Sequence, residues 1–522
     1  MSQTRPKRKV PFEITPKIFI FLAFVPLLLL SSTFSGHGGS GDFHAHKKWI
    51  SLTLNLPPTS WYSHELEWWG LDYPPFSVYY HWVFGRLVAA LGQTDSFDLT
   101  DRTGVDTVPL LRLLIVAFNA LVYYLPVYYM IRSSHRPASR GSLTLLMYMP
   151  ILMLVDVGHF QISNYVPSAL TVITLHYLNL ELDNRGGKHE NEIGVSSQLK
   201  ASSAFMASVL FKQMQLYLSL PIFVHLLRWC TVERDVKKSS KSFITLNFLR
   251  KLAILGVTVV GLTVVALIPF RSDVSQVVRR VFPVGRGLYE SKVANLWCML
   301  DTRPFDIQRR LPPHIIKGLC GITTLLGSAP FLARIWRNKN VDLNANVAGC
   351  GMAAFLFSYH AHEKSCLVFL PAFVSAFEEG MSGRMILMCG MGCRFLLELD
   401  GLVYEYLGMT VAFLAYFNHF YGGLGKLFKG EKWIDYLQTA VISFSLLLEF
   451  AMPIVPNPVP QLPDLYELAI AGNTFLGFFG TWAWMVMDMP TTKATKAMTK
   501  KQARGIRTSS RSRSRSRKSK KM

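Results

Sequence analysis

The sequence predicts an all-α protein that threads a membrane many times, and three observations carry that expectation. Half of its 522 residues are hydrophobic and only 17% are charged, against about 25% in soluble domains. Apolar runs of roughly 20 residues, the length a helix needs to cross a hydrocarbon core, recur along the chain. The net charge of +22 is gathered at the ends: Arg5, Lys7, Arg8 and Lys9 precede the first run, and thirteen Lys and Arg with no acid lie between Lys493 and Met522. A basic surplus outside apolar runs marks cytosolic flanks and contact with a lipid bilayer, so no nucleic-acid partner is expected.

In chain order, residues 1–16 read as a cytosolic N-terminus and 17–34 as a first transmembrane helix, expected to be retained because its small-x-small triplets make no convincing cleavage site and many spans follow. A lumenal segment, 35–107, holds two amphipathic stretches. Trp49, Leu52 and Leu56 recur at helical spacing, as do Phe76, Tyr80, Val83, Leu87 and Leu91. Such helices lie flat in the headgroup layer. Residues 108–365 form a second module, with spans expected near 108–131, 142–156, 164–180, 248–270, 314–335 and 342–359. The apolar stretch 201–229 is too long for one span. Lys212-Gln213-Met214 and Pro221 interrupt it, which predicts a short helical hairpin. Five more spans fit 366–488, and 489–522 is a basic tail expected to be disordered. The total is about 14 transmembrane helices, and an even number returns both basic ends to one side.

That count places five polar clusters on the opposite face: Asp72, Asp156 with His159, Lys212 with Gln213, Arg286 with Lys292, and His360 to Lys364. An ionisable group in hydrocarbon costs roughly 2.5–3.5 kcal/mol on insertion scales. Clusters converging at one face therefore predict a shared polar cavity. The loop 271–313 is rich in arginine on the non-cytosolic side; long loops escape the charge rule, and anion binding would account for the exception.

The chain is organised around Trp68-Trp69-Gly70-Leu71-Asp72-Tyr73-Pro74-Pro75. Tyr73 precedes a proline and is biased to extended geometry, and the two prolines stiffen the chain beyond it, holding Asp72 at a set height. Asp72 reads as a general base, or as an aspartate in an interfacial turn. Lys212 and Asp156 read as site residues or as a structural ion pair. His360-x-His362 admits a phosphate or sugar, a capped helix end or a metal. No Asp-x-Asp pair, His-Glu-x-x-His or Gly-x-x-x-x-Gly-Lys motif is present, so a nucleotide–magnesium site, a zinc hydrolase and an ATPase lack support. The seven cysteines form neither a zinc pattern nor a disulfide framework. One base with several cations suits transfer from a lipid phosphate, whose leaving group needs charge neutralisation.

The ordered set Trp69-Gly70-Leu71-Asp72-Tyr73-Pro74-Pro75, Gly158-His159-Phe160-Gln161, Lys212-Gln213-Met214, Phe282-Pro283-Val284, Arg286-Gly287-Leu288, Lys292 to Cys298 and His362-Glu363-Lys364-Ser365 resembles the dolichyl-phosphate-glucose-dependent α-1,3-glucosyltransferases of the endoplasmic reticulum. It is nearer the first glucosyltransferase of lipid-linked oligosaccharide assembly than the second. The resemblance implies a GT-C fold and inverting, metal-independent transfer with no cofactor. Glucose would pass from dolichyl-phosphate-glucose to the dolichyl-pyrophosphate-linked nonamannosyl oligosaccharide. It makes Asp72 the base and sets Arg286, His360, His362 and Lys364 at the donor phosphate. Asp156, His159, Lys212 and Gln213 would contact sugar or order the site, with Asp42, Trp69 and Tyr73 on the acceptor side. Two departures stand out: Gly285 where the family usually has an acid, and Ile162-Ser163-Asn164 where it tends to show Tyr-Asn. The terminal Lys518-Ser519-Lys520-Lys521-Met522 matches a dilysine retrieval pattern, which needs a cytosolic C-terminus.

Overall fold

A computed structural model describes residues 42–488 apart from 66–69, 98, 100–106, 134–143, 148, 184–189, 232–244, 283–284, 291, 303, 338–340, 400, 429 and 453. The N-terminal span, the basic tail and Trp69 lie outside the described residues. Those described are helical, with no β-strand among them and one isolated bridge, Tyr289 to Ala361.

The first loop forms α1 (Phe43–Asn55) and α2 (Pro75–Ala90), where the two amphipathic patterns fall. They pack on each other, and α2 begins at Pro75, where a missing N–H costs no hydrogen bond. Next come α3 (Val108–Asn119) and α4 (Leu125–Ser133), joined by a π-turn over Ala120–Tyr124 into one apolar rod. A short α5 (Pro150–Met153) runs into a second π-turn, Leu154–Gly158, which carries Asp156. Then follow α6 (Tyr165–Asp183), α7 (Glu190–Phe211), α8 (Ser219–Thr231) and α9 (Leu246–Leu267).

The short hairpin expected over 201–229 is not what forms. The chain does break at Lys212, which is extended, and a 3-10 turn continues over Gln213–Leu218. But α7 starts at Glu190, is 22 residues long and packs along α6 and α9, while α8 packs against α13 (Pro313–Arg337). Pro221 breaks nothing: it sits in the first turn of α8, where its nitrogen has no helical partner to lose.

Between α9 and α13 the loop holds α10 (Val274–Val281), α11 (Leu296–Leu300) and α12 (Ile307–Arg310). Beyond α13 lie α14 (Leu343–Phe357), α15 (Cys366–Ala376), α16 (Glu379–Leu399), α17 (Val403–Tyr421), α18 (Leu424–Phe428), α19 (Trp433–Ala451) and α20 (Leu465–Met487). Four helical stretches among the described residues are long and apolar enough to cross a membrane: Val108–Ile131, Leu246–Phe270, Pro313–Arg337 and Trp433–Ala451. On α9, Val257, Val260, Val264 and Val265 are exposed, as side chains facing acyl chains are. By contrast α14 is buried on every side and forms the centre with α15 and α16. Its Gly349 lets the Phe331 ring of α13 lie against the backbone, where a Cβ would collide.

Candidate active site

Asp72 stands on a braced turn. Leu71 is buried in a cluster with Trp49, Trp61, Tyr62, Val78 and Phe270, which joins α1, α2 and the end of α9. Tyr62 Oη donates to the Tyr73 carbonyl at 2.6 Å. Pro74 and Pro75 then start α2. Anchored on both sides, the peptide around Asp72 has little backbone freedom. The Arg280 guanidinium lies against Gly70, in the space a Cβ there would take.

The second wall is a pairing of 286–290 with 359–362. His360 N donates to the Leu288 carbonyl at 2.8 Å, and Tyr359 Oη donates to the Arg286 carbonyl at 3.1 Å. His360 takes a left-handed backbone, φ 57°, unusual for a residue with a Cβ. Its Nδ1 donates to the Gly287 carbonyl at 2.9 Å, which turns Nε2 toward Glu290. From this wall Arg286 reaches Asp72, with Nη2 to Oδ2 at 2.6 Å. Its Nη1 lies 3.7 Å from Glu290 Oε1. His362 Nδ1 is 2.8 Å from Glu290 Oε2.

The third wall descends from the Asp156 π-turn. Asp156 accepts from Asn164 N at 2.8 Å, Asn164 Nδ2 at 2.6 Å and Tyr165 N at 2.8 Å. Asn164 stands between Asp156 and Lys212, whose Nζ donates to Asn164 Oδ1 at 2.6 Å and to Ser163 Oγ at 3.1 Å. Gln161 Nε2 donates to Tyr73 Oη at 2.5 Å, and Lys364 Nζ donates to Gln161 Oε1 at 2.9 Å. His159 Nε2 lies 3.9 Å from Asp42 Oδ1, and Asp42 N donates to the His159 carbonyl at 3.3 Å.

Burial raises the Asp72 carboxyl above its ordinary 3.8; the hydrogen bond and charge of Arg286, and the charge of Lys364, pull it back without cancelling the rise. Burial acts downward on Lys364, yet Asp42, Tyr73, Glu363 and Glu290 outweigh it and raise the ammonium, so it stays charged. Burial also acts upward on Glu290, but His362, Arg286 and His360 bring it down to about 2. His362 is lowered by burial to about 4 despite Glu290. Among the residues expected at the donor phosphate, burial disfavours the charged form of His362, while Glu290 beside it favours that form.

Among the described residues, one group of three has metal-ligand atoms close together: Glu290, His360 and His362, all within 4.8 Å of one another. The Arg286 guanidinium beside the same Glu290 oxygen opposes a divalent cation and favours an anion.

The structure thus brings Asp42, Asp72, Tyr73, Asp156, His159, Lys212, Arg286, His360, His362 and Lys364 into connected networks. Gln213 is not among them: its Oε1 is buried without a hydrogen-bond partner, and it is Gln215 that binds Thr171. Lys292, grouped with Arg286 by sequence, pairs instead with Asp464 at 3.0 Å. The rest of its motif is architectural. Asn295 caps α11 by accepting from Cys298 N at 2.9 Å, and Trp297 Nε1 donates to the Phe357 carbonyl at 2.7 Å. Sequence reasoning missed Gln161, Ser163, Asn164 and Glu290 as site residues. Gln161 lay inside a quoted motif; Glu290 had no signal beyond its place four residues after Arg286.

A carboxylate held by an arginine, with a lysine and two histidines on the neighbouring loops and long apolar helices around them, has the make-up of a group-transfer site in a protein with candidate membrane spans. The sequence pattern of the ALG6, ALG8 glycosyltransferase family matches residues 24–485, and the chain belongs to that family. It is 29% identical to the probable dolichyl pyrophosphate Man9GlcNAc2 alpha-1,3-glucosyltransferase of Schizosaccharomyces pombe, over 91% of each chain. It is 32% identical to the dolichyl pyrophosphate Man9GlcNAc2 alpha-1,3-glucosyltransferase of Pongo abelii, over 86% of this chain and 90% of that one. The Rattus norvegicus protein of the same name is 32% identical over 75% of each.

Proposed function

We propose that this glycosyltransferase adds the first α-1,3-linked glucose to the nonamannosyl dolichyl-pyrophosphate-linked oligosaccharide, with dolichyl-phosphate-glucose as donor. The observation that carries the reading is the Asp72–Arg286 contact beside Lys364, His360 and His362. Arg286 occupies one carboxylate oxygen, so Asp72 has the other to take the proton of the acceptor mannose hydroxyl. The hydroxyl oxygen then bonds to the glucose anomeric carbon as the bond from that carbon to the phosphate oxygen breaks. The electron pair leaves with dolichyl phosphate, and the configuration inverts. Arg286 and Lys364 stabilise the phosphate charge in a water-poor pocket, with His360 and His362 at its rim. No step asks for a metal or a cofactor.

This reading includes a GT-C arrangement of about 14 spans in the endoplasmic-reticulum membrane, with the site in the lumen and both termini in the cytosol. The relatives' names, each stating Man9GlcNAc2, support the first-step acceptor. Purified protein given labelled dolichyl-phosphate-glucose and each acceptor in turn tests it. Transfer to the nonamannosyl lipid is expected; transfer only to the monoglucosylated lipid would assign the second step instead.

A further inference from the structure

Gln161 is fully buried, and its side-chain amide spans two walls of the site. An ammonium only donates, so Lys364 fixes Oε1 as the end facing it. The amide is then oriented: Nε2 faces Tyr73, and the phenol oxygen must accept. The opposite side repeats the pattern. Lys212 donates to Ser163 Oγ, which turns the Ser163 hydrogen toward the same phenol oxygen, 3.4 Å away. Two lysines, the buried Lys212 and the partly buried Lys364, thus set the polarity of one hydroxyl, on the residue next to Asp72.

The backbone around Gln161 is also unusual. Phe160 and Ile162 on either side both take left-handed geometry, φ 58° and 51°. For a β-branched residue such as Ile162 this is a true outlier, and such strain persists only where surrounding contacts impose it. Arg112 lies over the Phe160 ring, and Gln161 N donates to the Val155 carbonyl at 3.0 Å. Those contacts hold the kinked segment so that the one side chain between its two strained residues bridges Lys364 and Tyr73.

We infer that Gln161 is a positioning residue: its amide couples the Lys364 ammonium, at the donor phosphate, to Tyr73 and so to the base Asp72. The inference rests on the function proposed above. An amide holds Lys364 in place while leaving its charge for the phosphate. A carboxylate of the same shape would hold it equally well and neutralise it. Shape and polarity are therefore separable.

The test uses full-length protein in nanodiscs with both lipid substrates. Gln161→Glu keeps the shape; its donor KM is expected to rise roughly tenfold or more at neutral pH, with acceptor KM unchanged. The loss should shrink as pH is lowered and the new carboxyl takes a proton. Gln161→Leu, which removes both contacts, should lower kcat and raise donor KM together, and if it fails to fold the Glu variant carries the test. A Gln161→Glu enzyme with wild-type donor KM across pH overturns the inference. So does an equal change in donor and acceptor KM accompanied by a lower unfolding temperature. Wild-type protein that transfers no glucose from this donor would instead overturn the proposed function.

Discussion

Arg286 Nη2 meets Asp72 Oδ2 at 2.6 Å across 214 residues of sequence. The contact ties the proposed base to the loop proposed to face the donor phosphate, so one guanidinium orients the carboxylate and favours its charged form. Without it, burial would push the Asp72 carboxyl higher still against the charge of Lys364.

The base must be ionised to accept a proton. Because the Asp72 pKa is raised, activity should be full above that raised value and fall as pH drops through it, at a higher pH than an ordinary carboxylate would allow. Arg286→Leu removes the two largest influences that lower it. The acid limb of the kcat profile, measured at saturating donor, should therefore move to higher pH; an unmoved limb would separate Arg286 from Asp72 in function.

Asp72→Asn keeps the size of the side chain and removes the base. Loss of a general base costs about 10²–10⁴-fold in rate. Turnover should fall by that order, while donor affinity, read by equilibrium binding of labelled donor, changes little. Equal losses in both would put Asp72 in donor binding instead.

Lys364→Met removes the partly buried ammonium that Gln161 holds, whose charged form its acidic neighbours favour. A hydrogen bond to a charged group contributes about 1.5–3 kcal/mol, so donor affinity should weaken by roughly 10- to 100-fold. Lys292→Met is the contrast. Its partner Asp464 is largely exposed, and exposed pairs contribute about 0–1 kcal/mol. Donor KM should stay at the wild-type value, and a large rise would return Lys292 to the phosphate site.

Asp156 accepts three hydrogen bonds from Asn164 and Tyr165 and is buried with Lys212 close by. Asp156→Ala leaves those donors without their acceptor and removes a nearby negative charge from Lys212. Breaking a buried charged network costs about 3–5 kcal/mol. Thermal unfolding in detergent should show a clear drop in midpoint. An unchanged midpoint with lost activity would mark Asp156 as a sugar contact.

Much of the helical plan was legible because its signals are local. Helical spacing of aromatics located α1 and α2, and apolar runs located α3, α9 and α13. The 201–229 stretch misled because its start was polar: α7 begins at Glu190, among residues a hydropathy reading assigns to a loop. Pro221 looked like a break because the sequence does not say which turn of a helix a proline occupies. In the site, Lys292 and Glu290 lie two residues apart on one polar run, yet Glu290 faces His362 and Lys292 faces Asp464.

By itself the sequence determined the chemical inventory: an apolar helical chain, one braced aspartate, and lysines and histidines that hydrocarbon would not tolerate unpaired. Composition and short-range spacing decide these, since each residue's burial cost and backbone bias is its own. Only the tertiary structure decided partnership. Arg286 meets Asp72, Gln161 joins Lys364 to Tyr73, and Asn164 separates Lys212 from Asp156. Such contacts depend on how distant helices pack and on two strained residues, Phe160 and Ile162, whose geometry the surrounding contacts impose against local preference.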